Sequence, residues 1–190
     1  MGSIASLSFP AYKSCAPNLP CYKLCYAAKI SKLRKTVREA YERNWDLYQN
    51  EPETFWRELE AAVMTSRVFR FFVSGDLPNT EFFAKICEIM TKNPHCQAFE
   101  FTKRYNFVNE YIANGGAIPE NLHIIFSGWQ GLKMDNPYEL PECHVIYKDG
   151  STTAHDGKTF LCSGNCSDCF LCGKNCFNLK KGEQILIKQH

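Results

Sequence analysis

The sequence predicts an α/β protein, a parallel sheet linked by crossover helices, running into a cysteine-rich C-terminal metal-binding segment. Two observations carry this reading. Between residues 68 and 126, short apolar runs alternate with amphipathic ones in the order strand, helix, strand, helix, strand, the pattern of right-handed crossover units. In addition, eight of the eleven cysteines fall in two groups. Cys15, Cys21 and Cys25 lie near the start, and Cys162, Cys166, Cys169, Cys172 and Cys176 near the end.

The elements follow in order. An apolar opening at residues 7–9 precedes the first cysteine loop. Residues 27–49 space Ile30, Leu33, Val37, Tyr41, Trp45 and Tyr48 by threes and fours, which predicts one long amphipathic helix. Asn50 and Pro52 end it and start another, with Phe55, Trp56, Leu59, Ala62 and Val63 on one face. A strand is expected at residues 68–73. Asn79 then caps a helix bearing Phe82, Phe83, Ile86 and Met90, stopped by Asn93-Pro94. Residues 97–102 read as strand, 106–113 as a short helix closed by Gly115-Gly116, and 122–126 as a buried parallel strand. Beyond Trp129 the chain is turn-rich, with short strands expected at 144–147 and 184–188. Residues 1–150 read as the core and 151–190 as the metal-binding segment and final strand.

Net charge +2 and 45% hydrophobic content give no general pull toward nucleic acid or membrane. The opening MGSIASLSFP lacks a cationic start and an apolar run, and nowhere do the ~18 apolar residues of a membrane span occur. The expected location is the cytoplasm. In that reducing compartment an odd number of clustered cysteines points to metal rather than disulfides.

The first group, CAPNLPCYKLC, puts three thiolates between the first strand and first helix. A loop there lies at the ligand-binding rim of a parallel sheet, together with Ser74-Gly75-Asp76, Lys103-Arg104 and Ser127-Gly128-Trp129 after later strands. Three thiolates leave one coordination position of a metal centre open, and an open position is where metal chemistry occurs. The second group places Cys162, Cys166, Cys169 and Cys172 at spacings that suit a fully ligated auxiliary 4Fe-4S cluster, with Cys176 spare.

This layout resembles the radical S-adenosylmethionine enzymes, although the spacing here is C-x5-C-x3-C rather than their usual C-x3-C-x2-C. The resemblance implies a partial (β/α) barrel-like sheet and a 4Fe-4S cluster whose free iron binds S-adenosylmethionine. It also implies roles by position: Ser74, Gly75 and Asp76 at the cofactor's amino group, Tyr26 by the adenine, and Lys103, Arg104 or Ser127 at the methionine carboxylate. A closer resemblance, carried by LSFPAYKSC, CYKLCYA, REAYERN, FRFFVSGD, FSGW, GNCSDCFLC and a last strand ending in His190, is to the phage "gene product 88" family. That family is described as iron-sulfur proteins similar to the radical enzymes. The implied cofactors are two 4Fe-4S clusters and S-adenosylmethionine; the implied partner is an electron donor of flavodoxin or ferredoxin type.

Other readings stay open at this stage. The C-terminal group also fits a zinc knuckle, and a fourth ligand such as Cys143 or a histidine would close the N-terminal one. Cys87 and Cys96 read as core. His95, His123 and His155 show no ligand spacing and read as core, surface or capping residues. Lys29, Lys32, Arg34, Lys35, Arg38 and Arg43 could track a phosphate backbone, but Glu39, Glu42 and Asp46 interrupt them, as in a solvated face. The rival function is a non-catalytic phage-derived metal-binding module with a structural, redox-sensing or nucleic-acid-binding role.

Overall fold

A computed structural model of the chain describes residues 4–164 and 175–189. Seven strands form one sheet: β1 (Ala5–Leu7), β2 (Val68–Phe71), β3 (Gln97–Thr102), β4 (Leu122–Ser127), β5 (Glu142–Ile146), β6 (Thr159–Leu161) and β7 (Gln184–Lys188). Their spatial order is β1-β2-β3-β4-β5-β7-β6, and every neighbouring pair is parallel. The α/β class read from the sequence is therefore the class observed. With all strands parallel, the loops that follow them emerge at one rim.

Five helices connect the first half: α1 (Tyr26–Leu33), α2 (Lys35–Asn50), α3 (Pro52–Met64), α4 (Thr80–Lys92) and α5 (Tyr105–Ala113). The single helix expected over residues 27–49 is two, broken at Arg34, whose φ of −123° and ψ of 101° are extended. The halves are anchored differently. Tyr26 of α1 donates to the Val73 carbonyl at 2.6 Å, while Trp45 and Tyr48 of α2 pack against Phe9. One extended residue re-aims the chain between these anchors without proline or glycine, so the periodicity runs on through the break. Pro52 opens α3 as expected, and Asn79 caps α4 by accepting from Phe82 N at 2.8 Å.

Alternation along the strands sorts side chains to two faces. One face of β2, β3 and β4 presents Phe69, Phe71, Ala98, Ile124 and Phe126 to Phe55, Val63, Phe82, Ile86 and Met90 of α3 and α4. Each of these Phe, Val, Ile and Met side chains contributes about 1.5–3 kcal/mol on burial. The other face carries a smaller cluster of Ile125, Cys143 and Ile185, bordered by Phe101, Cys162, Cys176, Leu179 and Ile187. The segment after residue 150 supplies β6 and β7, so it continues the sheet, and β6 is a strand that the sequence pattern did not indicate. No described helix is long and apolar enough to cross a membrane.

Candidate metal centre at the sheet rim

The front cysteines sit where β1 hands over to α1. Cys15 lies on the loop, Cys21 in a 3-10 turn at Pro20–Leu24, and Cys25 at the cap of α1. Pro20 opens that turn, and Cys25 N donates to the Tyr22 carbonyl at 3.3 Å to close it. All three thiols are partly exposed. Burial first, then Asp76, push the Cys15 thiol up to about 12, and Cys21 and Cys25 add to the rise. Burial also raises Cys21, with Cys25 adding to the rise and Lys103 opposing it. Cys15 and Cys21 thus keep their protons in this loop unless a cation displaces them, as a metal does on binding cysteine.

Their spacing differs from that of a tight donor set. Among the described residues, the set of three potential ligands whose donor atoms all lie within 4.8 Å of one another is Glu142, His144 and His155, and the front thiols do not form such a set. As placed, they do not enclose a single ion. A four-iron cube, in which each cysteine binds a different iron, holds its thiolates further apart.

The predicted rim residues do converge, with different tasks. Asp76 is 5% exposed. Its carboxylate accepts from Leu77 N (2.9 Å), Thr102 Oγ1 (2.6 Å) and Lys103 N (2.9 Å), while its own N–H donates to Ser14 Oγ (2.9 Å). It joins the ends of β2 and β3 to the cysteine loop. Gly75, at φ +81°, lies so close beneath that loop that a Cβ would stand 2.6 Å from Ser14 Oγ and 2.9 Å from Phe9 Cβ. Tyr26 is committed to the Val73 carbonyl, with Arg70 beside its hydroxyl. These three residues build the rim.

Lys103, Ser127 and Ser74 offer more to a ligand. Lys103 Nζ donates to Ser127 Oγ at 2.7 Å and stands 5.8 Å from the centre of the Trp129 ring. Lys103 holds down the pKa of both Cys21 and Cys143 electrostatically, so its charge lies within reach of both. Ser74 is 2% exposed, and among the described residues its hydroxyl has no hydrogen-bond partner. Arg104 lays its guanidinium over Phe107, 4.2 Å from the ring centre.

Two tyrosines were missed in the sequence. Burial raises the Tyr12 hydroxyl, and Cys25, Cys15 and Cys21 raise it further, so it adjoins all three thiols. Tyr22 meets it ring to ring at 4.4 Å and donates to the Ala16 carbonyl at 2.5 Å, pinning the loop between Cys15 and Cys21. Their positions in YKSC and CYKLC, each beside a cysteine, were the available signal.

Of the second group, Cys166, Cys169 and Cys172 lie outside the described residues. Cys162 and Cys176 border the apolar cluster that contains Cys143. Burial pushes the Cys143 thiol up to about 12, and Cys162 adds to the rise. Cys143 thus keeps company with the second group. Cys87 and Cys96 are buried in the core as expected.

Fold and site together define an all-parallel α/β protein with a cysteine loop at the carboxyl rim of its sheet. A family model described as "Gene product 88" matches residues 2–146. The chain belongs to that family. The match ends with β5, so the GNCSDCFLC run and the last strand fall beyond it. No curated protein and no solved structure matches the chain.

Proposed function

We propose that Cys15, Cys21 and Cys25 hold a 4Fe-4S cluster with one iron free of protein ligands, and that the rim beside it binds a small polar cofactor of the S-adenosylmethionine type. The observation that supports this most is the joint placement, at one end of a parallel sheet, of three thiols too far apart for a single ion and a lysine-serine pair facing the same loop. When bound, such a cluster supplies one electron for reductive cleavage of a sulfonium cofactor.

The chain's own residues have definable parts. Lys103, steadied by Ser127, offers a cation for a carboxylate, and the unpartnered Ser74 hydroxyl offers a hydrogen bond. Asp76 and Gly75 keep the strand ends and the cysteine loop in register. Tyr12 and Tyr22, ring against ring, brace the loop that carries the thiols. An auxiliary cluster on Cys162, Cys166, Cys169 and Cys172 accords with the half-buried Cys162 just past the end of β6, and an electron donor of flavodoxin or ferredoxin type would serve either centre.

The test is anaerobic reconstitution followed by dithionite and S-adenosylmethionine. Wild type should bind about four irons at each of two sites and release 5'-deoxyadenosine. Cys21→Ala should lose the front cluster and the product while keeping the auxiliary iron. Zinc in place of iron, or iron without product, would instead support the non-catalytic module. The nucleic-acid version of that rival has less to stand on, because Lys35 and Arg43 on α2 are paired with Glu39 (3.6 Å) and Glu58 (2.6 Å).

A further inference from the structure

We propose that Glu142, His144 and His155 form a binding site for one divalent transition-metal ion of the zinc class, separate from the cysteine centres. Glu142 and His144 alternate on β5 and so share a face, opposite the one that holds Cys143. His155 reaches the same point from the loop after residue 150. Both Nε2 atoms converge on one carboxylate oxygen, Glu142 Oε2, at 2.8 Å from His144 and 3.1 Å from His155. Bonds of ~2.0–2.1 Å to a tetrahedral ion set donors about 3.3 Å apart, so small outward shifts of these three would admit one.

The surroundings are those of a built site. The other oxygen, Glu142 Oε1, accepts from Asn136 Nδ2 at 2.8 Å, and Asn136 is itself fixed to the Leu140 backbone at both ends of its amide. His144 Nδ1 meets Thr153 Oγ1 at 2.8 Å. His155 Nδ1 lies 3.0 Å from the Asp156 carbonyl, which can only accept, so that nitrogen carries the proton. Gln184, wholly buried, clamps the His155 backbone through its side-chain oxygen (3.1 Å) and nitrogen (3.0 Å). Gly128 leaves the space for the His144 ring, since a Cβ there would stand 2.6 Å from Nδ1. Ligand imidazoles oriented through their second nitrogen, and a ligand carboxylate held by an amide, are the usual supports of a metal site. His155 is largely exposed, so a fourth position on the ion opens to solvent.

The probe is Zn2+ alone, added to the full chain and to His155→Ala, followed by desalting, elemental analysis and zinc-edge X-ray absorption. Wild type should retain one more zinc per chain than the variant, and the difference should show nitrogen and oxygen neighbours at ~2.0–2.1 Å. Zinc on cysteines shows sulfur at ~2.3 Å and is common to both proteins, so failure here and failure of the cluster reading are distinguishable. Asn136→Ala keeps all three donors and should weaken zinc binding by ~10–100-fold. Equal zinc in wild type and His155→Ala, a sulfur-only shell, or unchanged affinity in Asn136→Ala would overturn the site.

Discussion

In the middle of β3, Glu100 stands in register with Phe71 on one side and Ile124 on the other, fully buried, and among the described residues neither carboxylate oxygen has a hydrogen-bond partner. Burial, with Asp76 adding to it, raises its pKa well above the ordinary value. A raised carboxyl binds its proton more tightly in the native state. Its contribution to stability is full below the unfolded pKa near 4.5 and is lost as pH rises toward the folded value. Across that window each pH unit removes up to about 1.4 kcal/mol. Glu100→Gln cannot ionise and should gain on wild type steadily from pH 5 upward in urea unfolding. Asp76 and Cys87 lie within electrostatic reach of Glu100, so the difference reads the Glu100 carboxyl together with its effect on them. Parallel stability curves for the two would show that Glu100 is solvated or paired.

At the scale of the element, α4 offers the cleanest test because its cap is one side chain, that of Asn79, which also donates to the Tyr48 hydroxyl at 3.4 Å. Asn79→Ala removes the 2.8 Å bond to Phe82 N and should cost about 1 kcal/mol, lowering Tm by ~2–4 °C. No change in the melting curve would mean that another group satisfies that N–H. Elements with their own punctuation were legible in the sequence: Asn79 and Asn93 around α4, Pro52 at α3, Gly115 after α5. Those set by tertiary anchors were not. The break at Arg34 has no residue signal, and β6 is too short and mixed for period-two alternation to register. The cysteine loop was readable from composition, because thiols advertise themselves. His144 and His155 were not, since a two-residue spacing on a strand and a loop eleven positions on look like chance until β5 turns Glu142 and His144 to one side.

For the whole molecule, the strand order decides what can be removed. β7 pairs with β5 over residues 142–146 and with β6 over 159–161. A chain cut after residue 150 loses both and opens β5 as a new edge beside an uncovered apolar cluster. It should aggregate on expression, as unprotected edges do. A monomeric product with a native-like circular dichroism spectrum would show the core to be self-sufficient, with the family match over residues 2–146 marking an independent folding unit.

That order also sets a timetable. Ribosomes deliver β6 before β7, yet β7 must be threaded between β5 and β6, so the gap stays open until the cysteine-rich stretch between them has emerged. On the proposed reading, that interval is when the thiols meet whatever machinery delivers iron or zinc. Insertion of the late strand then pairs it with the backbone at Cys143 and Cys162, so on the proposed metal-binding reading maturation and folding become one event: metal starvation during synthesis should trap nascent chains in a form that later supplementation restores poorly.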